Sequence, residues 1–201
     1  MKIIILLIAS YIIGSIPNGY IISKNIYHID ITKYGSKNIG MTNVQRVIGN
    51  KPALVVFLLD FAKGAIAVIL GRYFLKTIPL AMLTGIAAII GHDYSIFMPH
   101  LKGGKGVSTS YGVMAFISFY AALPSGGLFF LIVFLTKYVS LASILSIALF
   151  PVSLLLFRAN KVTVLLSIII PLLVLISHRE NIKRLISGKE LKIGEKVRID
   201  Q

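Results

Sequence analysis

Between two long apolar runs the chain reads Leu101-Lys-Gly-Gly-Lys-Gly-Val-Ser-Thr-Ser110. Three glycines and two lysines in neighbouring positions suit an anion. Glycine lets backbone amides converge, and a helix beginning at Val107 would turn its partially positive N-terminus toward the same point. Phosphate is the ligand that such a site favours. Gly103-Gly104-Lys105-Gly106 does not fit the nucleotide-binding pattern G-x-x-x-x-G-K-[ST]. An alternative is that Lys102 and Lys105 only anchor lipid headgroups, but anchoring does not call for glycine.

Two further polar segments carry comparable chemistry. Gly14-Ser-Ile-Pro-Asn-Gly19 is followed by Asp30 to Arg46, in which Gly35, Ser36, Asn38, Gly40, Thr42 and Asn43 combine permissive backbone with short polar groups. Arg46 adds a planar fork suited to phosphate. The plainer reading is a turn followed by a helix cap. Ser177-His-Arg-Glu-Asn-Ile-Lys-Arg184 offers His178, Glu180 and Asn181 for proton transfer or hydrogen bonding. It would also serve as an ordinary cationic helix end at a membrane surface. Inside apolar runs lie Asp60 and Lys63, spaced to pair on one helix face, and Gly91-His-Asp93. Charges at membrane depth are costly, so both sets are functional candidates, with structural pairing as the alternative.

The elements that must position these groups are membrane helices. The 201 residues are 56% hydrophobic yet carry a formal net charge of +14, and the mean hydropathy is +0.86. That balance excludes a soluble nucleic-acid-binding domain, which could not hide so much apolar sequence. With no cysteine, disulfide frameworks and thiolate chemistry are excluded. The four histidines, His28, His92, His100 and His178, lack the spacing of a metal site, so no metal and no cofactor is expected.

Seven runs approach the roughly 20 residues that a membrane-spanning helix needs. They lie at 3–22, 53–71, 78–97, 107–123, 126–137, 139–157 and 162–177. The first is long for a signal peptide and has no A-x-A-like site, so it is expected to be retained. Lys137-Tyr138 either separates two helices or kinks one long one, leaving six spans as the alternative. With seven, only Lys2, Arg72, Lys76, Arg158 and Lys161 fall on one side, Lys63 lies within a span, and all other lysines and arginines, through Lys196 and Arg198, fall on the opposite side. The richer side is cytoplasmic by the positive-inside tendency, with the N-terminus outside and the C-terminus inside. Every glycine-rich polar segment then faces the cytoplasm. No internal repeat or linker divides the chain, which reads as one all-α polytopic membrane domain over 1–201.

The motifs Ser15-Ile-Pro17, Gly35-Ser36, Asn38-Ile-Gly40, Thr42-Asn43, Arg46, Asp60-Phe-Ala-Lys-Gly64, Gly91-His92, Lys102-Gly-Gly-Lys-Gly106 and His178-Arg-Glu-Asn181 resemble, in this order, the bacterial integral-membrane acyl-phosphate:glycerol-3-phosphate acyltransferases. The likeness runs from about residue 10 to 194. Thr32-Lys33, Lys37, Ser95 and Leu101 depart from the family's usual arginine, glycine, proline and phenylalanine.

The resemblance implies a seven-helix enzyme of the bacterial plasma (inner) membrane with its active site toward the cytoplasm. It would move an acyl group from acyl phosphate to the 1-hydroxyl of sn-glycerol 3-phosphate, giving lysophosphatidic acid and phosphate, the first acylation of phospholipid synthesis. Lys102, Gly103, Gly104, Lys105 and Gly106, with Thr42 and Asn43, are expected to hold the acyl-phosphate headgroup. Ser36, Arg46, Lys105 and His178 are expected to fix glycerol 3-phosphate, with Asn181 orienting the loops and Asn38 and His92 in the substrate site. His178 and Asp60 are candidate bases, although a phosphate dianion, with a pKa near 6, could itself accept the hydroxyl proton. An acyl phosphate is already activated, so direct transfer is expected without an acyl-enzyme. Membrane lipids are the expected surroundings, with no nucleic acid and no obligatory protein partner. The competing class is a transporter for a phosphorylated solute. Against it stand the lack of inverted repeats and the gathering of glycine motifs on one face. A basic membrane scaffold would explain the charge but not the ordered Gly, Asn, Ser and Thr segments.

Overall fold

The computed structural model describes residues 1–195, so Lys196 and Arg198 lie outside the described residues. Among the described residues every regular element is helical. α1 (Lys2–Ser15) and α2 (Asn18–Asn25) form one apolar rod of 24 residues, interrupted at Ile16-Pro17 because proline has no amide to donate. A short 3-10 turn (Ile31–Lys33) and α3 (Met41–Val47) lead into α4 (Asn50–Leu75), the longest helix at 26 residues. α5 (Ile78–Asp93), a second 3-10 turn (Pro99–Leu101) and α6 (Val107–Ile117) follow, then α7 (Phe119–Thr136) and α8 (Val139–Leu156). The chain ends in α9 (Lys161–Ser167), α10 (Ile169–Ser177) and α11 (Arg179–Ile186).

Four rods are long and apolar enough to cross a bilayer: 2–25, α4, α7 and α8. A fifth is the run from α9 to α11, bent by 61° where α11 begins. α5 and α6, at 16 and 11 residues, are shorter. At about 1.5 Å per residue they rise less than the roughly 30 Å of a hydrocarbon core.

Two expectations are corrected, the boundary at Pro124-Ser125 and the unbroken run at 162–177, while the expected break at Lys137 is found. The break placed at Pro124-Ser125, between 107–123 and 126–137, occurs instead at Ser118, which is extended (φ −156, ψ 101). Pro124 lies within α7, where it removes a single intrahelical bond. Lys137 separates two helices rather than kinking one: its left-handed backbone (φ 62) ends α7, and α8 returns packed along it. The expected run at 162–177 is itself interrupted at Ile168, because Pro171 cannot donate to the carbonyl of Ser167.

The main core lies between α4, α5, α6, α8 and the α9–α10 rod, filled by Val68, Met82, Ile89, Met114, Phe150 and Ile170. Gly64 and Gly112 bring α4 and α6 backbone to backbone, each lying where a β-carbon would strike the other helix. That close approach sets Asp60 and Lys63 facing the bundle interior, where both are buried. The exterior is apolar, with Phe130, Phe134 and Leu156 each more than 70% exposed, as a lipid-facing surface would be. A smaller cluster of Ile22, Ile31, Ile39, Val44, Val56 and Met98 fastens the polar segment 26–49 onto the helix ends.

Candidate active site

A cavity of about 650 Å³ opens between α3, α4, α6, α7, α8 and α11. Its polar end carries Ser36, Asn38, Thr42, Arg46, Lys105, His178, Asn181 and Glu190. Its other end is walled by Leu54, Phe57, Phe61, Tyr111, Phe129, Phe130 and Val133, and Leu54 and Phe130 are exposed on the apolar exterior. A cationic, hydrogen-bonding pocket is thus continuous with an aromatic groove.

The segment 30–47 is shaped by Asn43. This side chain is 2% exposed. Its Oδ1 accepts from the amide of Ser36 at 2.8 Å, and its Nδ2 donates to the carbonyls of Ile31, Tyr34 and Asn38 at 3.3, 3.0 and 2.9 Å. Asn43, expected to hold a headgroup, lines the cavity, and its side-chain amide is committed to backbone. Asn38 Oδ1 accepts from the amide of Gly40 at 2.9 Å, an Asx turn that leads into α3. Thr32 donates its hydroxyl to Asp30 at 2.6 Å, which holds that carboxyl below its ordinary range.

The glycine loop, expected to hold a phosphate headgroup, directs two of its amides elsewhere. Gly103 and Gly104 donate their amides not into the cavity but to the carbonyls of Asp93 and His92 at the end of α5, at 3.0 and 2.8 Å. A β-carbon on Gly104 would strike the His92 imidazole, so glycine here serves close packing. Lys102 is exposed, and neither it nor Gly106 lines the cavity. Gly106 instead takes the left-handed turn (φ 66) that starts α6. From this motif only Lys105 reaches the site. Its Nζ donates to Asn181 Oδ1. Burial, reinforced by Arg184 and Arg46, pushes its ammonium down to about 8, against the opposing pull of Glu190 and Asp93.

His178 stands at the 61° bend between α10 and α11. Its Nδ1 lies 2.8 Å from the carbonyl of Val174. A carbonyl only accepts, so Nδ1 carries the proton and the neutral ring keeps a lone pair at Nε2. Asn181, one turn on, donates through Nδ2 to Glu190 Oε1 at 2.6 Å, and Arg184 Nε donates to Glu190 Oε2 at 2.7 Å. Burial pushes Glu190 up, but these hydrogen bonds outweigh it and hold the carboxyl below its usual range. Arg46 donates from Nη2 to the carbonyl of Leu191 at 2.9 Å, and its buried Nε has no partner among the described residues. Sequence reasoning missed Glu190 altogether, because nothing in Gly188-Lys-Glu190 signals that the chain doubles back to α11.

Deeper in the bundle, Asp60 and Lys63 pair at 2.9 Å as their spacing predicted. Lys63 also donates to the carbonyls of Gly14 and Ile16, at 3.0 and 2.9 Å, where Pro17 breaks the first rod. His92 Nδ1 also lies 3.0 Å from the Lys63 ammonium, so that nitrogen accepts and the His92 proton sits on Nε2. Asn18 donates to Asp60 at 3.0 Å. Asp60 and His92 line the cavity. Lys63 and Asn18 both bond Oδ1 of Asp60, which makes this carboxylate part of a clamp joining α2, α4 and α5.

The family described as glycerol-3-phosphate acyltransferase matches residues 4–188. Relatives of that description are 42% identical over 192 residues in Thermoanaerobacter sp. (strain X514), covering 96% of both chains. One from Prochlorococcus marinus (strain MIT 9215) is 39% identical over 194 residues, covering 96% of this chain and 98% of its own. The fold is similar to that of PlsY (YgiH), an integral membrane glycerol 3-phosphate acyltransferase solved in a glycerol 3-phosphate form, with a TM-score of 0.90, 36% identity and 96% coverage of both chains. A lysophosphatidic acid form of PlsY matches with a TM-score of 0.88, 36% identity and 97% coverage of both.

Proposed function

Because the chain belongs to the glycerol-3-phosphate acyltransferase family and is an integral-membrane enzyme of phospholipid biosynthesis, we propose that its donor is an acyl phosphate and that the cavity holds both substrates at once. One observation carries this reading: Arg46, Lys105, His178 and Asn181 share the polar end of a cavity whose other end is aromatic and opens to the apolar exterior. A water-soluble phosphate ester and an acyl chain bearing a phosphate need that combination.

Arg46, Ser36 and Lys105 bind the phosphate of glycerol 3-phosphate, which supplies the missing partner of Arg46 Nε. Thr42, Asn38 and the start of α6 at Ser108 receive the acyl-phosphate headgroup. The acyl chain lies along Phe57, Phe61 and Phe129. The 1-hydroxyl attacks the acyl carbonyl, the carbonyl–oxygen bond to phosphate breaks, and inorganic phosphate leaves with the electron pair. Lys105 stabilises the charge that develops on the way. The hydroxyl proton passes to the departing phosphate. His178 hydrogen-bonds glycerol 3-phosphate through Nε2, and Asn181 holds Lys105 and Glu190 in register.

The same reading makes the chain one membrane domain of seven spans in a bacterial plasma membrane, N-terminus outside and active site cytoplasmic. The four long rods, the bent α9–α11 rod and the two shorter apolar helices supply seven candidates. In support, the cationic segments converge at one end of the bundle: Arg46 bonds Leu191, Ile193 bonds the carbonyl of Lys137, and Lys105 bonds Asn181.

Purified protein supplied with palmitoyl phosphate should release phosphate only when glycerol 3-phosphate is present, should not use palmitoyl-CoA, and should lose activity as Lys105→Ala. Turnover with the CoA donor, or none with acyl phosphate, overturns the proposal.

A further inference from the structure

Beside the polar end of the main cavity lies a second one of about 170 Å³, whose lining includes Ser36, Lys37, Arg46, Arg184 and Glu190. Ser36, Arg46 and Glu190 line both, so the two cavities meet at the group proposed to bind phosphate. The small cavity presents three cations and one carboxylate. Glu190 is held by Asn181 and Arg184, while among the described residues Arg46 bonds only a neutral carbonyl and its buried Nε has no partner. Its field therefore favours an anion. None of this lining is aromatic, in contrast to the main cavity's far end.

Lys37 is the informative residue. It is exposed and holds left-handed backbone (φ 57), a conformation that costs a residue with a β-carbon and costs glycine nothing. Its backbone is thus strained at the rim of a cationic cavity, where a glycine would relax the turn and remove the charge. The geometry points to the small cavity as the port through which the water-soluble phosphomonoester reaches the main cavity, with Lys37 as the steering cation at its rim. The inference rests on the function proposed above. The amphiphilic donor has its own way in, through the apolar end at Leu54 and Phe130, so the two substrates respond differently to charge at Lys37.

The test is steady-state kinetics of the full chain, varying glycerol 3-phosphate at saturating palmitoyl phosphate and the reverse. At an ionic strength of about 0.01 M, where the Debye length is about 30 Å, Lys37→Gly should raise the glycerol 3-phosphate KM about threefold to tenfold. The kcat and the palmitoyl phosphate KM should not change. At about 1 M the difference should vanish, because screening then acts within about 3 Å. Lys37→Arg should keep the wild-type KM, and Lys37→Gly should melt no lower than wild type. An unchanged glycerol 3-phosphate KM and salt dependence in Lys37→Gly overturns the port, as does an equal rise in both KM values. Wild-type protein inactive with these substrates would instead sink the proposed function. Calorimetric titration of glycerol 3-phosphate into wild type and Lys37→Gly at both salt levels would then decide the port separately.

Discussion

Lys105, on the loop before α6, donates its ammonium to Asn181 on α11, and Asn181 turns its other amide atom to Glu190 at 2.6 Å. One asparagine thereby joins the glycine motif, the last helix and the C-terminal segment around the polar end of the cavity. It also holds a carboxylate close to the cation that the chemistry needs.

Removing that cation should be severe. Lys105→Ala is expected to lower kcat/KM by roughly a hundredfold to a thousandfold, the scale seen when one charge-stabilising donor is lost. Asn181→Ala should cost less than Lys105→Ala and should raise the glycerol 3-phosphate KM as well as lowering kcat. Initial-rate kinetics on folded variants checks both.

The ammonium of Lys105 is pushed down to about 8, so in the free enzyme it loses its charge as pH rises through that value. The kcat/KM for glycerol 3-phosphate should therefore fall above pH 8, approaching about tenfold per pH unit. An acid limb near pH 6 is expected from the substrate's own second phosphate ionisation. Lys105→Arg should remove the alkaline limb, whatever activity it retains, because guanidinium stays charged. A pH–rate profile that keeps that limb in the arginine variant rejects the assignment.

Proton transfer to the departing phosphate predicts that His178→Gln, which keeps a hydrogen-bonding amide, retains measurable turnover with a raised glycerol 3-phosphate KM. Loss of turnover with unaltered binding would make His178 the base instead.

The Asp60–Lys63 pair makes a stability prediction. Asp60→Asn or Lys63→Met alone leaves a buried charge unpaired and should cost about 3–5 kcal/mol. The double variant should recover part of that loss, although the carbonyls of Gly14 and Ile16 still lose their donor. Melting curves of the three variants in one detergent give the comparison.

Gly126 lines the cavity beside Phe129 and Phe130, and a β-carbon there meets nothing within 4 Å. Gly126→Leu should shorten the acyl chain accepted, lowering kcat/KM for palmitoyl phosphate more than for octanoyl phosphate. It should not destabilise the helix, since interior glycine is about 1 kcal/mol worse than alanine. An unaltered chain-length profile would move the acyl chain elsewhere.

The membrane class, the helical runs and the pairing of Asp60 with Lys63 were legible in the sequence because each rests on local signals. These are a hydrophobic run, a helix period, or a spacing of three residues. The candidate site was legible as a set of residue types: Ser36, Arg46, Lys105, His178 and Asn181 were singled out, and all of them line one cavity. The helix break at Ser118 was not legible, because Pro124 carries the stronger local signal and the chain overrides it through packing.

By itself, then, the sequence determined which residues could serve phosphate and acyl chemistry in a membrane. The tertiary structure decided which of them remain free to do so. Gly103 and Gly104 spend their amides on the end of α5, Asn43 spends its side chain on the loop around it, and one oxygen of Asp60 is held by Lys63 and Asn18. Glu190 joins the site only because the chain folds back onto Asn181 and Arg184. Each donor or acceptor has few bonds to give, and burial demands that they be made. Which partner takes them is settled by packing between elements far apart in the chain, which leaves no periodic trace in the order of residues.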